Sequence, residues 1–311
     1  MRTRLGPSRV ARILSLPKDA GEPASWFDRL TMRLRRMRRS VLAVVAALTC
    51  LGLGPGPALA QSGDSGTIVH NTPLRVCADP DDLPFSNRAG QGFENKLAEM
   101  VAEALDTTVA YTWFPQRRGF LRNTLDADEC DVVMGMPSVD GVLATRSYYR
   151  SGYVFVSRAD RQLTVSTMTD PVLRTLRIGV QVIGADGTGT PPAVVLGEEG
   201  IVQHVVGFPV YGNFAGPQPA AAPIEAVERG DIDIAALWGP TAGYFAKHAR
   251  AKLRVTPITD TEQFLPQTFQ YPIAMAVRPS DTDLRDRLNA FIRAHKADIA
   301  ALLERYGIPV M

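Results

Sequence analysis

Asp79, Asp81 and Asp82 fall within four positions and place three hard oxygen ligands at the end of an apolar run. Such a set can hold a cation such as calcium, but it lacks the glycine and distal glutamate of an EF-hand loop. Turn formation or helix N-terminal charge accounts for the same residues. His70, His204, His248 and His295 stand alone, with no H-x-x-x-H pair and no cysteine at metal spacing. No G-x-S-x-G, Walker A or forward G-x-G-x-x-G run is present. Gly184-Ala185-Asp186-Gly187-Thr188-Gly189 could offer N–H groups to an anion, yet Pro191 and Pro192 follow, which reads as a flexible loop. Two runs are more distinctive. Tyr111, Trp113 and Phe114 precede Gln116-Arg117-Arg118-Gly119-Phe120, and a second cluster reads Arg146-Ser147-Tyr148-Tyr149-Arg150-Ser151-Gly152-Tyr153. Guanidinium beside aromatic rings serves bidentate and stacking contacts, or caps a helix on a solvated face. No nucleophile–base set stands out, so the chemistry on offer is binding and the chain reads as non-enzymatic.

Strands and helices alternate in an order that can position these residues. Residues 74–78 read as a short buried strand stopped by Asp79-Pro80-Asp81-Asp82. Phe93, Leu97, Met100, Val101, Ala104 and Leu105 fall at helical spacing, with Glu94, Lys96, Glu99 and Glu103 on the opposite, polar face. Residues 108–114 are β-branched and aromatic, a second strand. A short helix at 119–125 and a third strand at 131–136, closed by Pro137, complete a parallel sheet with right-handed crossovers. After residues 153–156 the pattern restarts, with strands at 176–183, 201–206, 232–237 and 253–258 and helices at 192–200, 224–229 and 243–249. Residues 271–277 form a last strand. Ser280 and Asp283 read as a capping-box-like start of one long terminal helix, whose apolar stripe passes through His295 and which Gly307 and Pro309 end. Two βαβ runs imply two α/β lobes. Ligand sites in such sheets lie beyond the carboxyl ends of the strands, here 79–85, 136–138, 182–184 and 238–240.

The first sixty residues are an export address. Residues 32–60 run from an arginine-rich segment (Arg33 to Arg39) through an apolar core at 40–53 to Ala58-Leu59-Ala60, the order of a cleaved signal peptide. The core is too short to span a membrane, and Thr49 before Cys50 argues against lipidation. Initiation at Met32 would give a signal of ordinary length. Arg38-Arg39 weakly resembles a twin-arginine signal, and Sec export is the simpler route. Residues 1–60 hold eleven basic and three acidic side chains, so the formal +2 of the whole chain becomes 23 basic against 29 acidic, or −6, in the remainder. That acidity disfavours nucleic acid, and no later segment suits membrane insertion. Losing Cys50 with the leader leaves Cys77 and Cys130, read as a disulfide in an oxidising compartment rather than as two buried thiols.

The order of elements and the leader resemble the family 3 (type II) periplasmic solute-binding proteins. The resemblance is carried by Leu74-Arg75-Val76-Cys77-Ala78, Gly92-Phe93-Glu94, Cys130-Asp131-Val132-Val133-Met134-Gly135-Met136 and the terminal helix. Five further stretches (77–86, 92–96, 115–125, 145–151 and 238–246) are similar to the J proteins of methanol-oxidation operons. Those are binding-protein-like partners of PQQ-dependent alcohol dehydrogenases that use calcium or a lanthanide. The resemblance implies a two-lobed α/β fold, each lobe a mainly parallel sheet flanked by helices, with a cleft between. Its implied organisation is a leader at 1–60, a flexible segment at 61–73, one lobe from 74–158 plus 269–311 and a second from 159–268. It also implies a periplasmic accessory role toward the dehydrogenase or its cytochrome c system; the alternative is a transport receptor serving an ABC permease. No cofactor of its own is implied, since PQQ and the metal belong to the dehydrogenase. The implied cleft residues are Asp79, Leu83, Pro84, Phe85, Trp113, Arg117 and Arg118 with Pro137, Ser138, Tyr148, Tyr149, Arg150, Trp238 and Gly239. Amino-acid receptors of the family hold the ligand carboxylate with an arginine after the third strand and its ammonium with an aspartate ending a second-lobe strand. Here those stretches read Ser138-Val139-Asp140-Gly141 and Trp238-Gly239, so a standard α-amino acid is not the expected ligand.

Overall fold

Leu74–Ala78 forms β1, the centre of a parallel trio with Val109–Trp113 and Val132–Pro137. A computed structural model describes residues 72–183, 189–210 and 219–311, all within one unit, Thr67–Met311. The leader, His70 and the glycine-rich stretch 184–188 lie outside the described residues. After β1 come the paired dipeptides β2 (Asp81–Asp82) and β3 (Ser86–Asn87), then α1 (Phe93–Ala104), β4 (Val109–Trp113), α2 (Phe120–Asn123), β5 (Val132–Pro137), β6 (Leu143–Ala144) and β7 (Tyr149–Arg158). The second run is β8 (Ile178–Val182), α3 (Pro191–Glu198), β9 (Val205–Pro209), α4 (Ala222–Arg229), β10 (Ile234–Trp238), α5 (Gly239–His248) and β11 (Leu253–Pro257). The chain closes with β12 (Gln270–Val277), α6 (Thr282–Ala294) and α7 (Lys296–Arg305).

One curled sheet follows the path β4-β1-β5-β12-β7-β10-β8-β9, with β6 beside β12 and β11 beside β7. The two βαβ runs are parallel within themselves, and antiparallel β12 and β7 join them. Residues 149–152 of β7 pair with 270–273 of β12, while 153–157 pair with 234–238 of β10. Each half has its own core. Phe93, Leu97, Met134, Met275 and Leu288 pack between the first half of the sheet and α1, α6 and α7. Phe155, Met168, Ile178, Leu196 and Ile234 fill one face of the second half, and Val156, Val227, Ala235 and Leu237 the other. The expected α/β, two-lobed architecture is the one observed. Among the described residues no helix is long and apolar enough to cross a membrane.

The outer face of the first half is pinned chemically. A disulfide joins Cys77 at the end of β1 to Cys130 before β5, inside a small core with Phe120, Leu125 and Ala276. Beside it Asp131 accepts from Arg75 Nη2 at 2.6 Å and from Arg278 Nη2 at 3.0 Å, and Arg278 Nη1 also donates to the Cys130 carbonyl.

Several local expectations are corrected. The terminal helix is two helices that break at His295, where the backbone leaves helical geometry (φ −106°, ψ 25°). That ring stacks on Phe291 and meets Asp298 at 3.0 Å, so it is a half-buried hinge residue rather than part of a continuous core stripe. The Ser280–Asp283 capping box does not form: Asp281 is the N-cap residue, makes no side-chain capping bond and pairs with Arg278. The strand expected at 201–206 begins later, at Val205, because Gly200 takes a left-handed turn (φ +69°) and Ile201 folds back to the Leu196 carbonyl. Glu94, expected on the polar face of α1, is buried.

Candidate ligand-binding cleft

Five aromatic rings and two carboxylates meet where the halves of the sheet face each other. Phe85 follows β2, Tyr149 and Tyr153 lie four residues apart on one face of β7, Trp238 ends β10 and Tyr271 sits on β12. With Asp82 and Glu94 they line a cavity of about 300 Å³, the low end of the range for small-molecule sites. The rings brace one another: Trp238 meets Tyr153 edge-on at 5.5 Å and Tyr271 at 5.9 Å, and Phe93 stands between Phe85 and Tyr149 at 5.6 and 6.1 Å. Each ring therefore has a fixed orientation toward the cavity.

The acids come from chain segments that fold tightly for their own reasons. Asp79 follows β1 and accepts from the Asp81 N–H at 2.9 Å and the Gln116 N–H at 2.6 Å. This ties the aspartate turn to the loop after β4 and projects Asp82 into the cleft. Both Asp79 oxygens serve the turn, and no group of three or more His, Cys, Asp or Glu suited to a metal occurs among the described residues. The hard-cation reading of the three aspartates gives way to the turn. Gly92 caps α1 because only a residue without Cβ fits there; a Cβ would lie 1.9 Å from the Phe85 carbonyl oxygen. That close approach sets Phe85 and the first-turn Glu94 side by side.

Glu94 is 7% exposed, and neither its carboxylate nor that of Asp82 has a hydrogen-bond or ion-pair partner among the described residues. Burial, with repulsion from Asp79 and Asp81, pushes Asp82 up to about 7. Burial first, then Asp82, pushes Glu94 well above the usual carboxylate range, against the favourable field of the α1 N-terminus. Gly135, inside β5, makes room for it: a Cβ there would lie 2.2 Å from Glu94 Oε1 and 2.9 Å from the Tyr148 hydroxyl. Gly135→Ala is therefore expected to destabilise the protein by about 1–3 kcal/mol, measured as a lower urea midpoint. Glu94→Ala in the same chain should relieve most of that loss, because the two side chains compete for one space.

The sequence profile of the bacterial extracellular solute-binding proteins, family 3, matches residues 74–308. The chain belongs to this family. Over 89% of its length it is 33% identical to Protein MoxJ of Methylorubrum extorquens, covering 96% of that protein. Among solved structures it is similar to the periplasmic binding protein XoxJ of Methylobacterium extorquens AM1, with 35% identity and a TM-score of 0.64 over 76% of this chain and 99% of that one. MxaJ of Methlophaga aminisulfidivorans gives the same TM-score at 26% identity, over 76% of this chain and all of the other.

Within this solute-binding fold the anticipated cleft residues divide. Phe85, Pro137, Tyr149 and Trp238 line the cavity. Asp79, Pro84 and Gly239 support its walls, Asp79 through the turn, Pro84 by accepting from the Phe93 N–H at 2.8 Å, and Gly239 as the start of α5, while Leu83 is half-buried and outside the lining. Tyr148 lies behind the wall and donates to the Met134 carbonyl at 2.9 Å. Trp113 stacks on Tyr111 at 4.6 Å under the Arg88 guanidinium, away from the cavity. Arg117, Arg118, Ser138 and Arg150 are exposed. Glu94 and Tyr271 were not placed in the cleft by sequence reasoning, whereas Asp82 fell within the strand-end stretch 79–85 and Gln116 and Tyr153 within the two distinctive Arg/aromatic runs without being singled out. Gly135, a glycine within an apolar strand, was the available signal of a close approach at that point. No lysine or arginine lines the cavity among the described residues, and the β10 end offers Trp238, whose N–H donates to Gln181 Oε1 at 2.9 Å. Both charge anchors of an amino-acid receptor are thus replaced.

Proposed function

We infer that this family 3 binding protein is a non-enzymatic periplasmic accessory of a PQQ-dependent methanol or alcohol dehydrogenase, assisting its maturation or assembly through the cleft or the surface around it. The observation that carries the reading is similarity to MoxJ and XoxJ along nearly their whole lengths, proteins whose J designation belongs to methanol-oxidation operons. The replaced amino-acid anchors support it. In this reading PQQ and its calcium or lanthanide belong to the dehydrogenase, and the protein reaches the periplasm by a Sec signal peptide. The lobes are taken as 74–158 plus 269–311 and 159–268, with β7 and β12 as the connecting strands. The acidic mature chain suits a partner surface of positive charge, so the contact should weaken as salt rises.

Co-purification tests the reading. The tagged mature protein, used as bait in periplasmic extract of its own organism, is expected to retain the alcohol dehydrogenase at low salt and release it as salt is raised. If no dehydrogenase or its cytochrome is retained and a permease complex is captured instead, the transport reading replaces this one; the small-molecule-sized cavity is the feature that favours it.

A further inference from the structure

The cleft holds two carboxylates without partners. Glu94 is more than nine-tenths buried, faces the cavity and meets no hydrogen-bond donor or cation among the described residues. Asp82 faces the same space from the β2 turn on which the start of α1 is seated. Proteins ordinarily pair buried carboxylates, because an isolated one loses its hydration without compensation. Here the cavity wall carries no lysine or arginine that could supply the partner. What surrounds the acids instead is a set of aromatic rings, Phe85, Tyr149, Trp238 and Tyr271.

We propose that the cleft binds a compact organic cation, an alkylammonium or quaternary ammonium group, held by Glu94 and Asp82 and enclosed by these aromatic rings. Rings attract cations through their negative faces, and desolvated sites of this composition recognise ammonium groups. A hard metal ion is a poorer occupant, because it demands six or more oxygen ligands and the wall offers only two carboxylates. A zwitterionic amino acid is poorer too, since its carboxylate would meet two acids and no arginine. The cavity of about 300 Å³ holds a ligand of choline size. Gly135 is part of the device, as the residue that lets Glu94 reach the wall. The inference goes beyond the accessory role and needs only that the cleft is a binding site.

Titration calorimetry and thermal shift on the mature protein test it, with tetramethylammonium and choline as probes. The neutral isostere 3,3-dimethylbutan-1-ol, glycine betaine and calcium chloride serve as controls. The expected result is that both ammonium ions bind and raise the melting temperature. The alcohol should bind roughly tenfold or more weakly, betaine should lose affinity through its carboxylate, and calcium should have no effect. Glu94→Gln and Trp238→Ala should each weaken choline binding by a similar factor while keeping a cooperative unfolding transition. The comparison of choline with its isostere is made on the unaltered protein, so it stands even if a variant fails to fold. Equal affinity for choline and the alcohol, calcium binding in place of ammonium, or no response to either ammonium ion at about 10 mM would overturn the proposal. None of these readouts involves the dehydrogenase, so failure here leaves the accessory role to its own test.

Discussion

Cys77→Ala together with Cys130→Ala is expected to lower the stability of the mature protein by about 4 kcal/mol, or roughly 8–16 °C in Tm. The bond spans 53 residues of sequence, so in the unfolded chain it closes a long loop and removes the entropy that loop would otherwise have. In the folded chain its sulfurs sit in a sealed pocket, with Cys77 3% and Cys130 0% exposed. Alanine leaves no buried thiol or hydroxyl without a partner. The loss falls where β1, β5 and the Arg75–Asp131–Arg278 cluster meet, which also sets the position of the aspartate turn. Urea unfolding of the double variant, compared with the unaltered protein with and without reductant, measures it. Reduced protein and double variant should coincide. A midpoint unchanged by both treatments would mean that the pairing contributes nothing to stability.

Asp82→Asn should have the opposite sign and depend on pH. In the folded chain Asp82 titrates near 7, whereas an unfolded aspartate titrates near 3.9. Between those values the native state holds a proton that the unfolded state has lost. The stability associated with that proton is complete below about pH 4 and disappears as pH rises through about 7. At pH 8 the charged group is confined near Asp79, Asp81 and Glu94, with Arg117 acting on Asp79, and with Tyr148 and Tyr149 within the field of Glu94. Linkage bounds the effect at about 4 kcal/mol, and water in the cleft reduces it. We expect the unliganded variant to gain about 2 kcal/mol at pH 8, roughly 4–8 °C in Tm, and to show little gain at pH 5. The window avoids Asp131 and Asp233, which arginine hydrogen bonds hold below the usual range against their own burial and which lose their contribution only at lower pH. Melting curves at the two pH values check it. A variant that gains stability while losing ammonium affinity would mark Asp82 as a residue kept for binding at the expense of stability.

Much of this architecture was readable from periodicity, because strands buried on both faces and helices with one apolar stripe leave plain patterns. Leu74–Ala78, Val132–Pro137 and the parallel order around them are of this kind. The cleft was harder. Glu94 has the helical phase of a polar face, yet the residue lies in the first turn, where the covering comes from Gly135 on β5 rather than from the helix's own neighbours. Tyr153 and Tyr271 look like core residues of strands, and they line the cavity because β7 and β12 change partners between the halves. The resemblance put Arg117 and Arg118 among the cleft residues, yet both are exposed while the neighbouring Gln116 lines the cavity. Residue type announces what a side chain can do, and topology decides which of two adjacent side chains is placed to do it.

The most direct measurement of the accessory role is made on the dehydrogenase itself, isolated from cells that lack this protein and from cells that retain it. Without it the dehydrogenase is expected to accumulate with reduced PQQ content and reduced specific activity. Supplying the exported protein should restore both. A dehydrogenase of full activity and unchanged PQQ content in its absence would rule out the accessory role.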